Sequence, residues 1–311
     1  MQVGLNRLVQ PELARHVPEC RAFYATRGER RGPASLEELR EARAEHVPAP
    51  LPGAVTVEHV VDASRRKIPL RIFAPKNAKA QGVYFDIPGG GFYLRSTAGG
   101  DTRNSALAES LGIVVVSVDY RLAPENPWPA APDDCETAAL WLIYQAEVRF
   151  GTTNLAIGGS SAGATLAMTT LLRLRDKGHA DSFAGAALQF GTYDLSGQTP
   201  AGRLIADEYF LEAYVGHLAD RTVPDVSPIF GDLRNLPPTL LIVGALDVLL
   251  EDNLVMAARL SAAGGEVDLR IYPESPHGFT GHPTSMARAA LNGRESWLAE
   301  RFTACATSRY P

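Results

Sequence analysis

Leu155-Ala156-Ile157-Gly158-Gly159-Ser160-Ser161-Ala162-Gly163-Ala164 is the stretch that decides the fold. An apolar run over 155–158 leads into a Gly-x-Ser-x-Gly frame, Gly159 to Gly163, and an apolar helical pattern over about 162–177 follows. Strand, sharp turn and helix in that order lift the central serine above the edge of a sheet. The flanking glycines let the chain turn without a Cβ in the way. The helix that opens after Ser161 brings unpaired amides, and the positive end of its dipole, near any negative charge formed there. Ser160 is the competing serine, but its frame would end on Ala162 and not on a glycine. A helix-capping loop is the plain alternative to a nucleophile turn.

Outward from this stretch, strand-like and helix-like segments alternate. Short apolar runs occupy 54–61, 69–73, 82–87, 113–118, 184–190, 239–243 and 267–272, and helix-length patterns occupy about 98–111, 132–149, 248–263 and 284–302. This alternation predicts an α/β fold with a mostly parallel sheet covered on both faces. Ile113-Val114-Val115-Val116 reads as a buried central strand. The first two runs, joined by 62–67, read as an antiparallel pair at one edge. Two segments stand apart. Residues 1–50 are charged and helical in pattern, with a capping box at Ser35-Leu36-Glu37-Glu38 opening a helix to about His46, and a Pro-rich linker over 47–52 follows. Residues 196–223 break the alternation and carry Tyr209, Phe210, Leu211, Tyr214, Val215 and Leu218 at helical spacing. The expected organisation is a core of 51–195 and 224–311, with cap segments at 1–50 and 196–223.

A serine hydroxyl needs a base, and the base needs orienting. Downstream of Ser161 stand Asp247 and His277, in that order, each on a loop just after a strand-like run. Asp252 is the rival acid, but it lies further into the next helical pattern. His16, His46, His59, His179, His217 and His282 have no comparable setting. The third element is Pro88-Gly89-Gly90-Gly91-Phe92, directly after the run at 82–87. Its glycines free backbone N–H groups to approach an oxyanion, and with the Ala162 N–H they would form an oxyanion hole. No Walker lysine and no dinucleotide fingerprint accompany it.

Composition narrows the remaining classes. Of 311 residues, 45% are hydrophobic, enough for a large core, and the net charge of −5 is mixed along the chain. That balance argues against nucleic-acid partners. No stretch of about 18 apolar residues predicts a spanning helix, so stable membrane insertion is not expected. Met1 to Cys20 shows no continuous apolar segment of the signal-peptide kind. The Arg27–Arg31 run reads as a solvated turn. Cys20, Cys135 and Cys305 are far apart and have no metal-ligand spacing, which fits reduced thiols in a cytoplasm. The chemistry calls for no metal or cofactor.

Taken together, the motifs resemble the hormone-sensitive-lipase-like esterases of the α/β-hydrolase superfamily. The matching pieces are Gly89-Gly90-Gly91-Phe92, Asp119-Tyr120-Arg121-Leu122-Ala123-Pro124-Glu125, the turn at Gly159–Gly163, Gly191-Thr192-Tyr193-Asp194-Leu195, the Asp247 segment and Pro276-His277-Gly278-Phe279. They run in the family's order and spacing from about residue 55 to 300. The resemblance implies an eight-stranded core with a helical cap. It also implies Gly90 and Gly91, with Ala162, as the main oxyanion donors, and a structural role for the Asp119 segment. Two positions depart from it: Pro88 replaces the usual histidine, and Ser160 stands where an acidic residue is common. The expected activity is hydrolysis of small to medium acyl esters by Ser161, His277 and Asp247, in a monomer or homodimer. An amidase or arylformamidase with the same three residues, and a non-catalytic ligand-binding relative, are the alternatives.

Overall fold

The computed structural model describes residues 9–28, 31–45, 55–76, 80–94 and 97–308, without the side chains of 97, 98, 180 and 305–308. The Pro-rich linker, Arg30 and the Cys305 side chain lie outside the described residues. The strands are β1 (Thr56–Val61), β2 (Lys67–Phe73), β3 (Val83–Ile87), β4 (Val114–Val118), β5 (Leu155–Ser160), β6 (Phe183–Gln189), β7 (Thr239–Gly244) and β8 (Val267–Tyr272). They form one eight-stranded sheet in the order β1-β2-β4-β3-β5-β6-β7-β8. Only β2 runs against its neighbours, β1 and β4; the rest of the sheet is parallel.

Hydrophobicity explains this order. Strands β3, β4 and β7 are buried along their whole length, as strands covered on both faces must be. Strand β1 is mostly exposed and takes the edge. The turn into β2 is fixed by Asp62, whose carboxylate accepts from the Ser64 and Arg66 amides at 2.9 and 2.8 Å.

Helices cover both faces. On one lie α4 (Ala130–Phe150), α5 (Ala162–Asp176) and α8 (Leu250–Ala262), around Ala138, Leu142, Leu166, Leu171 and Met256. On the other lie α3 (Asp101–Leu111) and α9 (Ser285–Ser308), around Leu107, Met286, Trp297 and Leu298. The short helices α6 (Pro200–Arg203) and α7 (Tyr209–Val215) belong to the segment 196–223. The N-terminal segment supplies α1 (Val17–Ala25) and α2 (Leu36–Glu45). Helix α2 opens at Ser35, whose hydroxyl accepts from the Glu38 amide at 3.2 Å, while the Glu38 carboxylate reaches the Ala34 amide at 2.8 Å. The capping pair is thus reciprocal, but its return bond lands one residue earlier than the motif prescribes.

The register sets the site. Ile87 at the end of β3 pairs with Gly159 of β5, so the glycine loop leaves the sheet beside the serine turn. Gly244 of β7 pairs with Tyr272 of β8, so the loops bearing Asp247 and His277 also leave side by side. All four loops emerge at the carboxyl edge, where ligands of open α/β sheets bind. The approach of α5 to β3 is close. A Cβ on Gly163 would run into the carbonyl of Ile87 and lie 2.8 Å from the carbonyl carbon of Pro88. Gly163→Ala should therefore lower stability by at least about 1–3 kcal/mol, because only backbone can yield there. Gly28→Ala, with nothing within 4 Å of the new methyl, should stay within about 0.5 kcal/mol. Urea unfolding midpoints of the two variants check the contrast.

Candidate active site

Ser161 joins β5 to α5 with φ 54° and ψ −125°. A non-glycine residue with positive φ is strained by about 1–3 kcal/mol and persists only where its surroundings hold it. Here the Ser161 amide donates to the Gln189 carbonyl at 2.9 Å, and its carbonyl accepts from the Ala164 amide at 2.9 Å. The flanking glycines are required on steric grounds. A Cβ on Gly159 would sit 2.5 Å from the Ile87 carbonyl oxygen.

The structure brings Ser161, His277 and Asp247 together. Ser161 Oγ lies 2.9 Å from His277 Nε2, and His277 Nδ1 lies 3.0 and 3.1 Å from the two carboxylate oxygens of Asp247. The Asp247 side chain is fully buried, whereas that of His277 is 38% exposed. The acid is thus shielded from water while the imidazole edge faces the opening. The Leu249 amide donates to Asp247 Oδ1 at 2.9 Å, which turns the carboxylate toward the ring. The Leu246 amide donates to the Ser275 carbonyl at 3.0 Å and ties the acid loop to the histidine loop. Phe190 packs edge-on against the imidazole with centroids 5.1 Å apart.

Asp252 lies elsewhere. Its carboxylate accepts from the amides of Tyr193 and Asp194, and so fixes the segment after β6. Burial pushes its pKa up to about 7, against the pull of those two amides. Asp194 itself accepts from the amides of Ser196 and Thr199, both at 2.8 Å, and so anchors the start of the inserted segment.

The glycine loop rests on the serine turn. A Cβ on Gly89 would collide with the Ser160 carbonyl. Gly90 has φ 131° and Gly91 φ 58°, conformations open to glycine. Among the described residues, the amides of Gly89, Gly90, Gly91 and Ala162 have no acceptor. That of Ala162 is one of the amides any helix leaves unpaired in its first turn. These are four unpaired donors next to Ser161.

At Pro88, the backbone carbonyl accepts from the Tyr120 hydroxyl at 2.8 Å. The Asp119–Glu125 segment therefore has a task that sequence reading left out: it tethers the glycine loop from a neighbouring strand end. The Ala123 amide adds a second tie, to the Phe92 carbonyl at 3.0 Å. Arg43 of α2 bonds the carbonyls of Tyr93 and Ala123 at 2.8 and 2.6 Å, joining the N-terminal segment to both.

A cavity of about 490 Å³ opens over these groups. Arg31 and Gly32 from the N-terminal segment and Ile205, Glu208 and Phe210 from the inserted segment line it. Tyr214 stacks on Phe92 of the glycine loop with centroids 4.0 Å apart. Arg31, exposed as a solvated run predicts, also borders the cavity. No cluster of metal-ligating side chains occurs among the described residues, and no described helix is long and apolar enough to cross a membrane.

A sheet of this order carries a serine, an acid and a histidine on the loops after β5, β7 and β8 at its carboxyl edge, and these features define a class. The sequence profile of the α/β hydrolase fold matches residues 84–281. The carboxylic ester hydrolase LipN of Mycobacterium tuberculosis is 32% identical over 68% of this chain and 61% of its own length. The ethyl acetate hydrolase of Pseudomonas putida is 31% identical over 68% of this chain and 71% of its own. The chain thus spans somewhat under two thirds of the first of these relatives. The crystal structure of a hormone-sensitive lipase from a metagenome library superposes with a TM-score of 0.73 at 26% identity, covering 94% of this chain and 99% of its own. This chain belongs to the α/β-hydrolase fold family, among its hormone-sensitive-lipase-like esterases.

The two buried aspartates predict opposite behaviour. Asp247→Asn should lower kcat for a short-chain ester by on the order of 100-fold more than Asp252→Asn, since only a carboxylate facing the imidazole fixes its tautomer. Asp252 should register in stability instead. Its folded pKa stands above the unfolded value, so its contribution is present at pH 4 and is lost as pH rises through about 7. The stability of the parent relative to Asp252→Asn should accordingly fall between pH 4 and 8, as read by urea midpoints. A kcat loss in Asp252→Asn matching that of Asp247→Asn would reverse the assignment.

Proposed function

We propose that this protein is a carboxylic ester hydrolase that turns over small to medium acyl esters through an acyl-enzyme on Ser161. The observation that carries the reading is the 2.9 Å contact from Ser161 Oγ to His277 Nε2, backed by Asp247 on the other ring nitrogen. His277 Nε2 takes the hydroxyl proton as Oγ attacks the ester carbonyl carbon. The carbonyl oxygen gains the negative charge, and the amides of Gly90, Gly91 and Ala162, with Gly89 at the loop entry, stabilise it. The tetrahedral species collapses as His277 protonates the departing alkoxide. A water then gives its proton to His277, attacks the acyl carbon, and releases the acid with Ser161 restored. Asp247 holds Nδ1 protonated and stabilises the imidazolium in both steps.

Several features support the finer points. The cavity's apolar walls and its lining from two separate segments fit a cap made of 1–50 and 196–223 over a core of 51–195 and 224–311. The ethyl acetate hydrolase and the carboxylic ester hydrolase among the relatives act, by their names, on esters. An intact three-residue relay argues against the non-catalytic reading, and turnover of an ester against its matched amide separates an esterase from an amidase. The free, buried thiols of Cys20 and Cys135 fit a cytoplasmic setting.

Replacing Ser161 by alanine should lower kcat by on the order of 10⁴ or more, because relay members act as a unit. Ser160→Ala should cost far less. Steady-state kinetics on a short-chain aryl ester checks both, and an exchange of the two results would move the nucleophile to Ser160.

A further inference from the structure

Behind the serine turn, on the face covered by α3 and α9, the sheet carries polar groups that the reaction above does not use. Arg103 of α3 lines the catalytic cavity together with Ser160 and Gly89. Among the described residues its only charged partner is Asp86, at 3.7 Å, beyond hydrogen-bonding reach. The other carboxylate oxygen of Asp86 is taken by Asn104 and Ser117, at 2.9 and 2.8 Å. The Nε of Arg103 is buried without a partner, and so is that of Arg294, a fully buried residue of α9. Asp86 thus meets Arg103 only at 3.7 Å, while its charge and that of Glu295 act on Arg294 without an ion pair among the described residues. Burial lowers the pKa of Arg294, and the charge of Arg103 acts in the same direction. Ser160 contributes a hydroxyl and no counter-charge. Among the described residues, the one carboxylate on the cavity lining is Glu208 of the inserted segment, and no ion pair joins it to Arg103.

We propose that Arg103 is a specificity residue that binds a carboxylate carried by the ester substrate, so that the preferred substrates are esters with a free acid group a few bonds from the scissile carbonyl. A planar guanidinium offers a carboxylate two parallel N–H donors, and a desolvated pair of this kind discriminates strongly against a neutral isostere. The carboxylate would give the guanidinium, whose Asp86 partner stands at 3.7 Å, an acceptor within hydrogen-bonding distance and a second counter-charge. The acid group can sit on the acyl side, as in a half-ester of a dicarboxylic acid, or on the alcohol side, as in an acylated hydroxy acid.

The proposal rests on the esterase reading, and the test separates the two. Two matched pairs are compared in steady state: monoethyl glutarate with ethyl pentanoate, and 4-acetoxybutanoate with butyl acetate. In one pair the parent enzyme should favour the acid by about tenfold or more in kcat/KM. Arg103→Leu should remove that preference mainly through KM while leaving the neutral ester within about twofold, and Arg103→Lys should restore part of it. An equal loss on acid and neutral members would mean a structural role and overturn the proposal, as would a parent enzyme with no preference for either acid. Failure to hydrolyse any of the four would overturn the esterase reading and this proposal with it.

Discussion

Where Gly163 lies against the Ile87 carbonyl there is no room for a side-chain atom, and most of the site follows from that contact. It brings the start of α5 under the glycine loop. It holds the turn tight enough for Ser161 to stay at φ 54°. And it sets Ala162 beside Gly90 and Gly91 on the lining of one cavity. Parallel pairing of β3 with β5 supplies the alignment, and glycines at 89, 159 and 163 supply the clearance. The strain at Ser161 is small beside the energy of the surrounding core, which is why the fold can hold it.

Electrostatics then divides the labour between two buried aspartates five positions apart in sequence. Asp247 sits on the loop after β7 and meets a histidine ring and one amide. Asp252 sits inside α8 and meets two amides after β6, with one oxygen left unpaired. The first can stabilise a transient imidazolium. The second accepts from backbone amides and serves the segment that leads into the inserted helices.

Much of this was legible in the sequence. The turn, the order Ser161, Asp247, His277 and the strand runs are local patterns, and each strand lies within a few residues of its expected place; for the central strands this is because buried parallel strands read as continuous apolar runs. What stayed hidden depends on contacts between distant segments. Tyr120 reaches the Pro88 carbonyl across two strand ends, so its role could not be inferred from the residues around it. Pro88 stands where the family resemblance implies a histidine, yet the loop is held through a backbone carbonyl, which proline keeps. Arg103 stood in an ordinary helical pattern; only the approach of α3 to the cavity, with Asp86 already occupied, gives it meaning. The two segments proposed as a cap read as breaks in the alternation, but the ties of Arg43 that join one of them to the glycine loop did not show.

The central claim is that one strained residue presents its hydroxyl to His277 while the amides beside it face the developing oxyanion. A crystal structure of the protein after reaction with a phosphonate ester tests this most directly, because the tetrahedral phosphorus mimics the intermediate. The account predicts a bond from phosphorus to Ser161 Oγ, with the phosphoryl oxygen within hydrogen-bonding distance of the Ala162, Gly90 and Gly91 amides. An adduct on Ser160, or one on Ser161 whose phosphoryl oxygen points away from those amides, would contradict it.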